Sequence, residues 1–163
     1  MSWSMLKETG ELLKQKNDEK ILCNLVHLFS EITGSEIRIN NGYGINLNNK
    51  WSQVNFMGKG IQLNIWFDKK YHYANEYYIE QRVIKICYFS VYPQGVGLGT
   101  KIIHTFLQEM NKTSFEKIIL DSKESAVEFW RKMGFDFIQD SHFMSISLPY
   151  IKTNFKLTFN NKK

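Results

Sequence analysis

A single-domain α/β (α+β) architecture follows from three features of this 163-residue chain. Apolar residues recur at helical spacing near the N-terminus and alternate at strand spacing through the middle. A run rich in β-formers, Tyr77 to Val91, then enters a glycine cluster that opens directly into a second helical pattern. Aromatic residues make up 15% of the chain, enough bulk for a sizeable core. A chain of this length buries roughly 68–70% of its unfolded surface.

The elements follow in order. Leu6–Lys16 and Asp18–Thr33 read as two helices. In the second, Ile21, Leu22, Leu25, Val26, Leu28, Phe29 and Ile32 form the i, i+3, i+4, i+7 stripe, Asn17 or Asp18 offers a cap, and Gly34 stops the helix. Strands are expected at 36–40, 44–47, 51–56 and 61–67, separated by Asn40-Asn41-Gly42, Asn48-Asn49 and Gly58-Lys59-Gly60. A polar, aromatic loop covers 68–75. The Tyr77–Val91 run is nearly unbroken in β-formers, as in a strand buried on both faces. A helix over 100–111, a short strand over 117–120 and a helix over 126–133 come next, then strands at 135–138 and 143–148. Finally Ile151, Thr153, Phe155, Leu157 and Phe159 alternate with polar residues, which predicts a half-buried edge strand able to pair with a second copy in a homodimer.

Composition narrows the function classes. The net charge of +5 is scattered and forms no basic stripe, so a solvated surface is expected and nucleic acid is an unfavoured partner. An anionic cofactor would still benefit from the excess. No apolar run reaches the ~20 residues of a membrane span, and no basic-then-apolar leader opens the chain. Cys23 and Cys87 sit in apolar contexts without pairing or metal-ligand spacing, so they read as buried reduced thiols of a cytoplasmic protein that holds no metal.

The chemistry concentrates at Val91-Tyr92-Pro93-Gln94-Gly95-Val96-Gly97-Leu98-Gly99-Thr100-Lys101. Glycines let main-chain N–H groups crowd around an anion, because no Cβ blocks the approach and positive φ is cheap. The first turn of the following helix adds unpaired donors and about half a unit of positive charge from its dipole. The run therefore predicts a phosphate or pyrophosphate cradle, against the plain alternative of a tight strand-to-helix turn. A P-loop fails on spacing, since Gly95 and Gly99 are too close and Thr100 precedes Lys101. A dinucleotide fingerprint starting at Gly95 and Gly97 would need glycine where Thr100 stands, although Asp121 falls near the interval expected for its acidic residue.

Gln94-Gly95-Val96-Gly97-Leu98-Gly99 resembles the acyl-CoA loop of the GNAT acyltransferases, Q/R-x-x-G-x-G/A. Downstream, Ala126-Val127-Glu128-Phe129-Trp130-Arg131-Lys132-Met133-Gly134-Phe135 resembles that family's later helix, A-x-x-F-Y-x-K-x-G-F. The resemblance covers about residues 77–148, leaving 1–76 as the acceptor side and 149–163 as an added C-terminal strand. It implies a mixed, mostly antiparallel central sheet with a splayed strand pair, flanked by helices. It also implies an acyl-CoA-dependent N-acyltransferase that moves acetyl from acetyl-CoA to a small-molecule or peptide amine. The alternative is a domain of this fold that binds acyl-CoA or a partner without turnover.

By the same resemblance, Gln94, Gly95, Val96, Gly97, Leu98, Gly99 and Thr100 would hold the pyrophosphate. Phe89, Ser90 and Val91 would pair with the pantetheine arm, while Ser122, Ser125, Phe129 and Trp130 would line its other side. Two departures stand out: the link from Pro93 to the glycines is short, and Trp130 replaces the tyrosine that many members use as general acid. An indole N–H cannot give up its proton near neutral pH. Glu80 and His142 are candidate bases. His72 is a candidate substrate-wall residue, Tyr88 reads as core, and His27 and His104 as helix residues without a catalytic part.

Overall fold

The computed structural model describes residues 3–39, 51–68 and 82–150, with side chains over 16–39, 53–67 and 82–150. Helix α1 (Trp3–Thr33) leads into strands β1 (Ile37–Ile39), β2 (Trp51–Gly58) and β3 (Ile61–Asp68). Strand β4 (Val83–Val91), helix α2 (Leu98–Met110) and strand β5 (Lys117–Asp121) follow. A 3-10 turn (Glu124–Ala126) continues into α3 (Val127–Lys132), and β6 (Asp136–Phe137) and β7 (Phe143–Ser147) complete the described chain. The strands form one sheet in the order β1-β2-β3-β4-β5-β7-β6. Among the described residues β4 and β5 are the parallel pair, and every other neighbouring pair is antiparallel. This is the mixed, mostly antiparallel sheet that the sequence implied, and a run of βαβ units is not present in it.

Alternation in the strands and helical spacing in α1 and α2 meet on one face of the sheet. Val54 pairs with Ile65 and Phe56 with Leu63 across β2 and β3, so all four point the same way. All are buried, together with Leu22, Leu25 and Phe29 of α1 and Ile102, Ile103, Phe106 and Met110 of α2. Phe29 meets Phe56 edge-on, with ring centroids 5.5 Å apart. The core thus lies between the helices and the strands of this face.

The N-terminal region corrects one expectation. Residues 3–33 form one continuous helix, where two had been read with a cap at Asn17 or Asp18. Asp18 lies inside that helix, fully buried, and its carboxylate serves a distant partner. Ser114 N–H donates to its Oδ1 at 2.9 Å, the Ser114 hydroxyl donates to its Oδ2, and Arg82 Nη2 stands 3.6 Å from Oδ2. The network ties α1 to the turn before β5 and to the residue entering β4. A short polar side chain ahead of an apolar stripe looks like a cap in sequence, but here tertiary bonds claim it.

A second correction concerns β4. Val83 and Ile84 are buried on both faces as expected, but from Cys87 onward the strand is exposed or half-exposed. Cys87 and Cys23 are both exposed thiols, and Tyr88, which had read as core, is 49% exposed. The expected strands at 44–47 and 151–159, the loop bearing His72, residues 77–81 and Glu80 lie outside the described residues.

Candidate active site where two parallel strands part

β4 and β5 pair from Val83↔Lys117 to Ile86↔Leu120, and the pairing stops there. Immediately beyond, Cys87 is an extra residue in β4: Ile65 of β3 faces Ile86, while Asn64 faces Tyr88. Such a bulge bends the strand and increases its local twist. β4 therefore leaves β5 with one edge unpaired. Tyr92 N–H donates to Gly60 O at 2.8 Å, which sets the parity of the edge. Tyr92, Ser90 and Tyr88 turn their main-chain groups toward β3, and Val91 and Phe89 turn theirs toward the opening. Gly60 permits that arrangement, because its φ is +83° and a Cβ there would stand 2.4 Å from Tyr92 O.

The gap is a groove of about 820 Å³, within the size range of small-molecule and cofactor sites. One wall is β4 from Ile86, its last paired residue, along the free edge to Val91; the other is Leu120 to Lys123, at the end of β5 and just beyond it. Ser125, Ala126, Phe129 and Trp130 close one side. Phe89 stacks on Phe129 with centroids 6.2 Å apart and lies 5.9 Å from Trp130, so aromatic packing holds α3 against the parted strand. Trp130 is only 6% exposed and also meets Phe135 at 5.3 Å.

Pro93, Gln94, Gly95 and Gly97–Thr100 form the end of the groove. Gly95 and Gly97 both have φ of +80°, and a Cβ on either would meet no protein atom within 4 Å. The backbone angle therefore demands glycine at both positions, and the space beside them is open. Gly97 is the N-cap of α2, without a side-chain capping bond and without an acidic residue in the first turn. Lys101 N–H makes the first bond back to Gly97 O, at 3.2 Å, leaving the amides of Leu98, Gly99 and Thr100 without an intrahelical acceptor. Gly99 is also where the first turn of α2 meets both walls: a Cβ there would lie 3.4 Å from a Val91 methyl and 3.6 Å from the Phe129 ring.

The groove brings together Phe89, Ser90, Val91, Gln94, Gly95, Gly97, Leu98, Gly99, Thr100, Ser122, Ser125, Phe129 and Trp130. Val96 does not line it and is 64% exposed. His142 stands just outside, its Nε2 3.5 Å from Oδ2 of the lining residue Asp121 and its ring 4.3 Å from that of Phe143. Sequence reasoning gave no site role to Cys87 or Lys123, weighed Asp121 only as the acidic residue of a dinucleotide fingerprint, and took Tyr88 for core. Their places depend on where β5 stops pairing, for which the sequence carries no local signal. Although solvent reaches Cys87, partial burial against the groove wall pushes its thiol above its ordinary value, against a smaller opposing pull from Lys85. Among the described residues no cluster of His, Cys, Asp and Glu could hold a metal ion, and no helix is long and apolar enough to cross a membrane.

The acetyltransferase (GNAT) domain model matches residues 70–152 of this chain, just over half of it. No curated protein matches the sequence. Among solved structures, the archaeal Methanocaldococcus infernus Elp3 with an N-terminal deletion is similar at 12% identity and a TM-score of 0.49, covering 70% of this chain and 30% of that one. Tetrahymena GCN5 is similar at 18% identity and a TM-score of 0.41, covering 81% and 89%. AtaTR bound with AcCoA is similar at 9% identity and a TM-score of 0.47, covering 77% and 98%.

Proposed function

This chain belongs to the GNAT acetyltransferase family, and from that premise we propose that it transfers acetyl from acetyl-CoA directly to a primary amine. One observation carries the reading. A glycine turn and an uncapped helix N-terminus stand at the end of a groove whose wall is an unpaired strand edge. That donor set fits a diphosphate followed by an amide-bearing arm. The turn offers main-chain amides and open space beside two positive-φ glycines.

In this reading, the amides of Gly97–Thr100 bind the diphosphate together with the dipole of α2. The main-chain groups of Phe89 and Val91 hydrogen-bond the arm as a neighbouring strand would. Bound acetyl-CoA supplies the activated thioester. An N–H of the open β4 edge polarises the thioester carbonyl, a donor of a kind worth about 2.7–4 kcal/mol. Phe89, Phe129 and Trp130 keep water from one side of the reacting carbon. Attack by a neutral amine then needs positioning above all, for which well-oriented groups supply about 7–11 kcal/mol of the barrier.

A second reading, an acyl-CoA-binding domain without turnover, draws on Trp130. Its buried indole occupies the motif position at which many members carry the proton-donating tyrosine, and an indole cannot give up a proton near neutral pH. One experiment separates the two: acetyl-CoA titration by calorimetry, paired with free-thiol release across diamines, aminoglycosides, amino acids and lysine peptides. Saturable binding with thiol release supports transfer. Tight binding with background release across the panel supports the binding domain, and no binding refutes both. Trp130→Tyr should preserve or raise thiol release, and a folded variant with sharply lower release would show that indole packing matters more than a phenol.

A further inference from the structure

We propose that His142 and Asp121 form the proton relay of the transfer, with His142 as the base and Asp121 as the residue that positions it. The inference rests on the acyl-transfer reading above. Asp121 is the first residue of β5 beyond the last β4–β5 pair, and it lines the groove at the fork. Ile118 and Leu120 belong to the core, so by alternation Asp121 points to the face away from it. Its Oδ2 lies 3.5 Å from His142 Nε2. Phe143, the register partner of Asp121, packs against the imidazole with centroids 4.3 Å apart. Lys85 Nζ stands 5.3 Å from the Phe143 ring centre and limits that ring from the β4 side. The imidazole, 72% exposed, thus lies beside a carboxylate and an aromatic ring, one side-chain contact from the groove. A base oriented by a third group is the arrangement that activates a nucleophile in many unrelated sites.

Chemistry favours the same pair. Imidazole is the side chain whose ordinary titration spans the neutral range, so it can both accept and return a proton. Trp130 removes the tyrosine that could protonate the leaving sulfur, so the returned proton needs another source. In the proposed step the amine nitrogen bonds to the acyl carbon and the carbon–sulfur bond breaks. The proton shed by nitrogen passes to His142 Nδ1, while Nε2 faces Asp121, and from the imidazolium it passes to the departing sulfur. Nothing is oxidised or reduced, and no further reactant is needed.

The test uses the full chain with His142→Ala, Asp121→Ala and the double variant, each checked for an unchanged melting temperature. Calorimetry with acetyl-CoA should give affinities within threefold of wild type. With the best amine of the panel, or with water as acceptor if none exceeds it, His142→Ala should lower kcat about 100-fold and leave the KM for acetyl-CoA unchanged. Asp121→Ala should lower kcat about tenfold, and the double variant should fall no further than His142→Ala, as groups acting as one unit do. Added imidazole should partly restore His142→Ala, which a purely structural histidine would not allow. Independently of turnover, ring-nitrogen NMR of the four histidines should show Asp121→Ala moving the His142 signals in the free protein. Acetyl-CoA should move them as well. Normal acetyl-CoA binding with unchanged kcat in His142→Ala, additive losses, or His142 signals indifferent to both perturbations would overturn the relay alone. Failure of wild type to bind acetyl-CoA would overturn the relay and the acyl-transfer reading together. Wild-type thiol release at background with every acceptor would overturn the relay and favour the binding domain.

Discussion

Gly97→Asp separates the stability of the glycine turn from its use. Gly97 has φ of +80°, and a Cβ there touches no protein atom, so the folded protein opposes the substitution only through backbone strain. Left-handed geometry costs an ordinary residue about 1–2 kcal/mol, and Asp tolerates it better than most. Against that, Gly97 is the N-cap of a helix with no side-chain cap and no acid in its first turn. A carboxylate there returns about 0.3–1 kcal/mol through the dipole. The net change in stability is then within about 1 kcal/mol, which moves the melting temperature by about 2–4 °C in a domain of this size. The effect on ligand is far larger. At about 5 Å and an effective dielectric constant of about 20–40, each like charge costs about 1.7–3.3 kcal/mol. A diphosphate brings at least two such charges, so acetyl-CoA affinity should fall by more than 100-fold. Calorimetric titration of acetyl-CoA beside a thermal melt reads both quantities. A variant that melts within 4 °C of wild type and binds acetyl-CoA within threefold of it would refute the assignment of the diphosphate to this turn.

Further outcomes follow from the contacts around the fork. Gly60→Ala meets both a positive φ and a Cβ 2.4 Å from Tyr92 O, so it should destabilise by about 2–3 kcal/mol and lower the melting temperature by about 4–12 °C; an unchanged melt would count against the close approach. Asp18→Ala leaves the 20%-exposed Arg82 side chain without its carboxylate and should cost about 3–5 kcal/mol, measured by urea denaturation. A loss below 1 kcal/mol would show that the network is slack. Because burial raises the Cys87 thiol, its thiolate fraction at pH 7–8 is depressed and grows only as pH climbs toward the raised value. Iodoacetamide should therefore label Cys87 more slowly than Cys23 at pH 7.5, and acetyl-CoA should slow it further. Equal rates by peptide mass spectrometry would contradict the local environment described for it.

The parts that could be read in advance share a physical cause. The turn 94–100 was legible because positive φ is a demand on single residues, and Gly95 and Gly97 meet it whatever surrounds them. The apolar stripes of α1 and α2 and the alternation in β2 and β3 were legible because each element must turn one side toward a core. Asp18 was misread because its partner, Ser114, is 96 residues away, and a polar residue before a stripe looks the same whether it caps a helix or bonds across the fold. Cys87 and Tyr88 were misread because a run of β-formers shows only that a strand exists. Whether its second half is covered depends on the length of its neighbour.

By itself, then, the sequence determined the order of elements from β2 to β7, the glycine turn ahead of α2, and the aromatic helix α3. Tertiary structure alone decided that β5 would stop pairing at Leu120 and that Cys87 would bulge from the ladder. It alone brought Asp121 to the fork with His142 against it. Local conformational preferences reside in each residue, whereas an open strand edge exists only relative to the strand that fails to cover it.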